Sequence, residues 1–231
     1  MNKMNKIVSS MIFGLALISL VAPRQADATP TLQFTSGATT ITVADGAVLD
    51  LFGAPGGVTF IGAVGNWNVN VTTGLTKPTL GSSTDPRLNV SSVNSKSSGS
   101  STLTIKFSEV GFSFPPNTWA AIISGIQTTG GVQYSTYLDA GNALFGTTTP
   151  LTNCGCLIGS PAFANTQISG AAGGPLFSLT QKITLSSSGG TFKSFNANLQ
   201  PVPEPASLLL LGSGLIGLSG FGFWRRKNTQ A

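Results

Sequence analysis

Between residues 29 and 200 the chain in places alternates apolar and polar residues at a period of two, and no long stretch there carries a helical period. In Asn66-Trp67-Asn68-Val69-Asn70-Val71 the apolar residues fall on one face and the asparagines on the other. Leu103, Ile105 and Phe107 likewise oppose Thr102, Thr104, Lys106 and Ser108. Successive side chains of a strand point to opposite faces, so this pattern predicts half-buried strands. Further strands are expected at 31–35, 39–43, 58–64, 119–124, 132–138, 177–185 and 191–199. Turn residues punctuate them, as in Ala54-Pro55-Gly56-Gly57, Pro115-Pro116-Asn117, Gly130-Gly131, Gly173-Gly174-Pro175 and Gly189-Gly190. Nine or ten short strands with no fixed-period repeat predict an all-β fold, an antiparallel β-sandwich of jelly-roll-like type, over residues 29–200. Ser95 to Ser101 is low in complexity and reads as a loop leading into the strand at Thr102.

Charge supports an exported domain. Charged residues make up 8% of the chain, against about 25% in an average soluble domain. Most of the formal net charge of +5 resides at the ends. Between Thr29 and Gln200 the basic residues are Lys77, Arg87, Lys96, Lys106, Lys182 and Lys193, and the acidic ones are Asp45, Asp50, Asp85, Glu109 and Asp139. That near balance leaves no basic footprint to follow phosphates, so nucleic acid is not an expected partner.

Both ends are targeting segments. Residues 1–28 have the three parts of a signal peptide: Lys3 and Lys6, an apolar run from Ile7 to Val21, and Ala26-Asp27-Ala28 before Thr29. Fifteen apolar residues are short for a retained span of about 20. The expected partners are the Sec machinery and signal peptidase, with cleavage between Ala28 and Thr29. Ala206 to Trp224 is a nineteen-residue run without a charge. As a helix it would extend about 28 Å, close to the hydrocarbon thickness of a bilayer. Arg225, Arg226 and Lys227 follow, and basic residues stay on the cytoplasmic side. The expectation is a transmembrane helix over 206–224 with a basic cytoplasmic tail at 225–231. Gly214, Gly217 and Gly220 place small residues where a second helix packs.

Residues 201–205, Pro-Val-Pro-Glu-Pro, separate the domain from this run. Alternate prolines exclude helix and favour an extended polyproline conformation. Glu204 is thereby held on a stiff, accessible stalk above the membrane, where a membrane-embedded enzyme would meet it. Val202, Pro203, Glu204 and Pro205, the Gly-containing apolar run and the terminal Arg-Arg-Lys together resemble the PEP-CTERM sorting domain, a tail also labelled an ice-binding-protein C-terminal domain. The resemblance implies an exosortase partner, a membrane-embedded, cysteine transpeptidase-like processing enzyme of Gram-negative bacteria that make exopolysaccharide. It also implies a route: export through the inner membrane, transient anchoring by one span, then the cell surface or the medium. The stretches VTFIGAVGNWNVNVTTG, STLTIKFSEVGF and FSLTQKITLSSSGGTFKSFNANL are similar to the bodies of such precursors, which implies a fold and no activity.

Candidate chemistry in the body is sparse. The chain has no histidine, which removes Ser-His-Asp and Cys-His catalysis and His-based metal sites. No cofactor or metal is expected. A carboxylate pair such as Asp50 with Asp139 is the remaining hydrolase alternative, since such pairs meet in space. Asp45-Gly46 and Asp139-Ala140-Gly141 also read as turns. Cys154 and Cys156 are the one reactive cluster. In an exported chain two cysteines usually pair, and with one residue between them a disulfide is either a local staple or a strained, reducible bond. Threonine and asparagine on exposed strand faces suit sugars, but Thr40 with Thr42 and Thr102 with Thr104 are isolated pairs in sequence. The expected function is a non-enzymatic cell-surface or matrix protein, with a carbohydrate-binding module of extracellular polysaccharide as the alternative.

Overall fold

A computed structural model describes residues 29–113, 118–154, 161–171, 174–202 and 213. The predicted signal helix, the transmembrane helix apart from Ser213 and the basic tail lie outside the described residues. Within them, no helix is long and apolar enough to cross a membrane.

Among the described residues twelve strands form two six-stranded sheets, and every pairing is antiparallel. In chain order they are β1 (Thr31–Ser36), β2 (Thr39–Ala44), β3 (Gly57–Val64), β4 (Trp67–Leu75), β5 (Leu88–Ser97) and β6 (Ser100–Phe112). There follow β7 (Thr118–Gln127), β8 (Gly131–Asp139), β9 (Thr149–Cys154), β10 (Ala162–Gly170), β11 (Phe177–Ser188) and β12 (Phe192–Pro201). One sheet has the order β2-β1-β6-β11-β8-β9, and the other β10-β7-β12-β5-β4-β3. The predicted sandwich is therefore present, with more strands than the nine or ten expected.

The inward faces build one core. Leu32, Phe34, Leu103, Ile105, Phe107, Ile183 and Leu185 come from the first sheet, and Trp67, Val69, Trp119, Ile123, Ala197 and Leu199 from the second. Removing such side chains from water contributes about 1.5–3 kcal/mol each, the main stabilising term for a chain with so few charges. Trp119 meets Phe177 edge to face, with ring centroids 6.2 Å apart. The alternation seen at Trp67 and Val69 holds, with Asn68 and Asn70 exposed. At Ser108 it fails. Ser108 points outward from β6 yet is fully buried, because residues 140–148 fold over that end of the sheet. Its hydroxyl donates to the Leu179 carbonyl (3.0 Å) and accepts from the Phe145 amide (2.9 Å). Phe145, at φ 58°, and Asn142, at φ 56°, occupy the left-handed region that side chains disfavour.

Residues 95–101 also differ from expectation. Ser95 to Ser97 complete β5 and Ser100 begins β6, so only 98–99 turn the chain from one sheet to the other. The serine hydroxyls hold this corner: Ser97 Oγ donates to the Gly99 carbonyl at 2.6 Å.

The strand directions give the sandwich two unlike ends. Residues 37–38, 65–66, 98–99, 128–130 and 189–191 turn at one. At the other lie 45–56, 76–87 and 140–148, the start of β1 and the end of β12. Thr29 and Val202, the first residue after the expected leader and the first of the sorting motif, thus emerge at the same end. We call it the exit end.

Candidate functional site

The exit end is where the sorting motif begins. β12 runs to Pro201, opposite Trp119, and the Val202 amide then donates to the Thr118 carbonyl at 3.0 Å. The body is thus hydrogen-bonded up to the residue before Pro203. Pro203, Glu204 and Pro205 themselves lie outside the described residues, as do Arg225, Arg226, Lys227, Ala26 and Ala28. Thr29 is exposed, and its carbonyl accepts from Thr31 Oγ1 at 3.0 Å.

The loops around this exit interlock. The Thr76 amide donates to the Gly56 carbonyl (2.8 Å), and Thr79 Oγ1 donates to the Pro55 carbonyl (2.7 Å). The Gly111 amide donates to Asn142 Oδ1 (2.8 Å), joining β6 to 140–148. Gly56 has φ 87°, and a Cβ there would stand 2.7 Å from the Lys77 carbonyl oxygen, so the close crossing requires glycine.

All five carboxylates of the body gather at this end, and each has structural work. Asp50 accepts from the amides of Gly46 (2.9 Å), Phe52 (2.9 Å) and Thr59 (2.8 Å). Asp45 accepts from the Gly56 amide (2.7 Å), and Asp139 from the Gly141 amide (2.6 Å). Asp85 accepts from Arg87 Nε at 3.0 Å in an exposed pair, of a kind that contributes little. Asp50 and Asp139 therefore brace two different loops; the turn reading given to Asp45 and Asp139 fits their bonds, and the role of Asp50 had no reading of its own. Among the described residues no group of three or more Cys, Asp or Glu stands ready to hold a metal.

Glu109 is the exception in chemistry. It sits two residues on from the core residue Phe107 and is fully buried, with Lys77 Nζ 3.3 Å from Oε1. Lys77 Nζ also donates to the Val110 carbonyl at 2.7 Å and lies 4.6 Å from the Phe112 ring centroid. Burial pushes the Glu109 carboxyl up to about 7, against the opposing pull of Lys77. Burial lowers Lys77 from its ordinary value, with Glu109 opposing that shift. Glu109 Oε2 has no hydrogen-bond partner. At the other end Lys193 is also buried, donating to Gln127 Oε1 and to the Thr129 carbonyl, and burial lowers it to about 8. Sequence reasoning missed both lysines as core plugs. Their only signal was a charge at an inward strand position or beside a proline.

Cys154 ends β9, where its backbone pairs with Tyr134 of β8. Cys156 lies outside the described residues, so the sequence expectation for the pair stands where it was.

The outer face of the first sheet assembles what looked scattered in sequence. Thr35 pairs with Thr40 and with Thr104, Thr104 with Thr184, and Thr184 with Gln133, giving one row across five strands. The next row runs Thr42, Gln33, Lys106, Lys182, Ser135. Within it Gln33 Nε2 donates to Thr42 Oγ1 at 3.3 Å. Lys106 and Lys182 stand directly opposite each other with no carboxylate among the described residues paired to either. The isolated threonine pairs of the sequence are thus parts of one polar surface.

No curated protein matches the chain in sequence. Among solved structures it is similar to TmCBM61 in complex with beta-1,4-galactotriose, at 8% identity and TM-score 0.31, over 61% of this chain and 92% of that one. It is similar to the bacteriophage CBA120 tailspike protein 4 enzymatically active domain, at 12% identity and TM-score 0.31, over 60% of this chain and 20% of that one. It is also similar to the C-terminal CBM6 of LamC from Zobellia galactanivorans, at 18% identity and TM-score 0.23, over 49% of this chain and 79% of that one. At such scores these likenesses carry no argument, and the sandwich stands on its own strand pairings. The family comparison is specific where the structures are not: a model described as the PEP-CTERM protein-sorting motif matches residues 201–227, so this chain carries the PEP-CTERM protein-sorting motif from the last residue of the last described strand of an all-β body.

Proposed function

We propose that the chain is a non-enzymatic cell-surface or extracellular-matrix protein, delivered by its leader, held briefly by residues 206–224 and handled by an exosortase-type enzyme acting at Pro203-Glu204-Pro205. The observation that carries this reading is the match to the PEP-CTERM motif at residues 201–227. Such a motif implies export and membrane-anchored processing. The body adds support: β12 runs straight into the motif, and four of the five carboxylates brace turns or pair with an adjacent arginine. Mass spectrometry of the protein from its native host tests the reading. Mature chains should lack Arg225 to Ala231 and begin at Thr29. Recovery solely as a membrane species that retains those seven residues would refute it.

A second reading, binding of extracellular polysaccharide, is favoured by the outer face of the first sheet. A row of threonines beside two unopposed lysines offers hydroxyl donors and acceptors together with positive charge, which suits an acidic glycan. Retention of the protein on an acidic polysaccharide, lost when Lys106 and Lys182 are both changed to glutamine, would support it. Equal retention on neutral and acidic polysaccharides would count against it.

A further inference from the structure

Eight large apolar side chains are exposed among the described residues: Val48, Leu49, Leu51, Ile61, Ile126, Leu144, Ile168 and Leu176. Five of them, Val48, Leu49, Leu51, Leu144 and Leu176, lie in the connections at the exit end. At the opposite end, the described turns 37–38, 65–66, 98–99, 128–130 and 189–191 expose small or polar residues, such as Gly37, Asn66, Ser98 and Thr129. Scattered apolar residues on a surface need no account, but five in the connections of one end do.

The cluster is also held in place. Val48 is 99% exposed, yet the segment that carries it is tied across its base by three amide bonds to the Asp50 carboxylate. The Asp50 amide closes the same loop onto the Ala47 carbonyl at 2.9 Å, and the Leu51 amide bonds to the Thr59 carbonyl at 2.9 Å. A loop so braced cannot fold Val48, Leu49 and Leu51 back onto the core. They stay exposed at the exit end.

We propose that this end is a lipid-contacting face, with Val48, Leu49 and Leu51 as its leading contact and Leu144 and Leu176 exposed at the same end. The inference rests on the reading of 206–224 as a membrane anchor. Four residues, Val202 to Pro205, separate β12 from that apolar run. Even in extended polyproline form they reach only about 12 Å. The tether leaves from the same end as the apolar loops, so it holds them against the headgroup region at high effective concentration. Contacts too weak to bind a free domain suffice there. Asp45, Asp50 and Asp139 are turned to backbone amides of these loops, Asp85 and Glu109 pair with Arg87 and Lys77, and zwitterionic headgroups carry no net charge to repel what remains. Once the tail is cut the tether is lost, and so is the contact.

The test uses the full chain in phosphatidylcholine vesicles that contain a photoactivatable phosphatidylcholine. After illumination, lipid adducts located by mass spectrometry should fall within 45–56 and 140–148, and not at 98–99 or 128–130. Leu49→Asp with Leu51→Asp should abolish the adducts in 45–56 while far-UV circular dichroism stays unchanged. Carbonate extraction separates the two claims. Protein that resists extraction but shows adducts at both ends alike, or at neither, overturns the lipid face and leaves the anchor intact. Protein released by carbonate overturns the anchor and the lipid face with it. Shielding of 45–56 that appears only in native-host membranes and never in pure lipid overturns lipid as the occupant in favour of a protein partner.

Discussion

At the residue scale, Glu109 makes the fold sensitive to pH. Its carboxyl is raised to about 7 in the folded chain from an ordinary 4.5. Between those values the folded state holds a proton that the unfolded state has released. The contribution of Glu109 to stability is therefore full below about 4.5 and is lost as pH rises through 7, by up to about 3 kcal/mol. Lys77 and Asp45 are the charges that act on it, the first opposing the shift and the second adding to it. Urea midpoints of the chain should fall from pH 5 to pH 8, and Glu109→Gln should flatten that slope. The slope is the readout, because breaking a buried pair also changes the absolute level. A wild-type midpoint that stays constant over this range would refute the assignment. Gly130 gives a second residue-scale test. It has φ 82°, and a Cβ would come within 2.0 Å of the Ser186 carbonyl oxygen, a backbone atom. Gly130→Ala should cost about 2 kcal/mol or more, seen as a lower urea midpoint.

At the element scale, what was legible in the sequence depends on what each strand buries. β4 and β6 declared themselves because Trp67 and Val69, or Leu103, Ile105 and Phe107, alternate cleanly against polar neighbours. β5 did not, since its inward positions include serines: Ser92 Oγ shares hydrogen bonds with Thr72 Oγ1 (2.8 Å) and Ser95 Oγ (2.9 Å), all buried. A core face satisfied by hydroxyls has no apolar period to read. β10 is an edge strand with only Phe163 buried, so it too lacks the pattern. The candidate glycan face was illegible for another reason: its rows are made by pairing between strands distant in sequence, β1 with β6 and β6 with β11. That face carries its own prediction. Lys106 and Lys182 are like charges directly opposite across a strand pair, an arrangement that costs about 0.2–1 kcal/mol. Lys182→Thr should raise the melting temperature and lower retention on acidic polysaccharide at the same time. A substitution that lowers both would mean that the lysines support the sheet.

At the scale of the whole molecule, the body and the tail meet with no slack. β12 keeps its ladder to Pro201, the Val202 amide closes on Thr118, and the Pro-Glu-Pro of the motif begins at the next residue. An enzyme that reads Glu204 must therefore do so within a few residues of a folded domain on one side and of an apolar run on the other. Proline on both flanks removes backbone donors and fixes φ, so recognition has little to grip besides the Glu204 carboxylate and the ring shapes. A carboxylate offers two acceptor oxygens and a charge. Glu204→Gln keeps the length and removes the charge, whereas Glu204→Asp keeps the charge and withdraws it by one methylene. If the charge is what is read, the glutamine variant should accumulate with Arg225 to Ala231 attached, and the aspartate variant should be processed slowly but measurably. If length matters more, the order reverses. In the native host, the intact mass of the chain reports which holds. Processing of both variants at the wild-type rate would place recognition in the apolar run or the basic end and refute a role for Glu204.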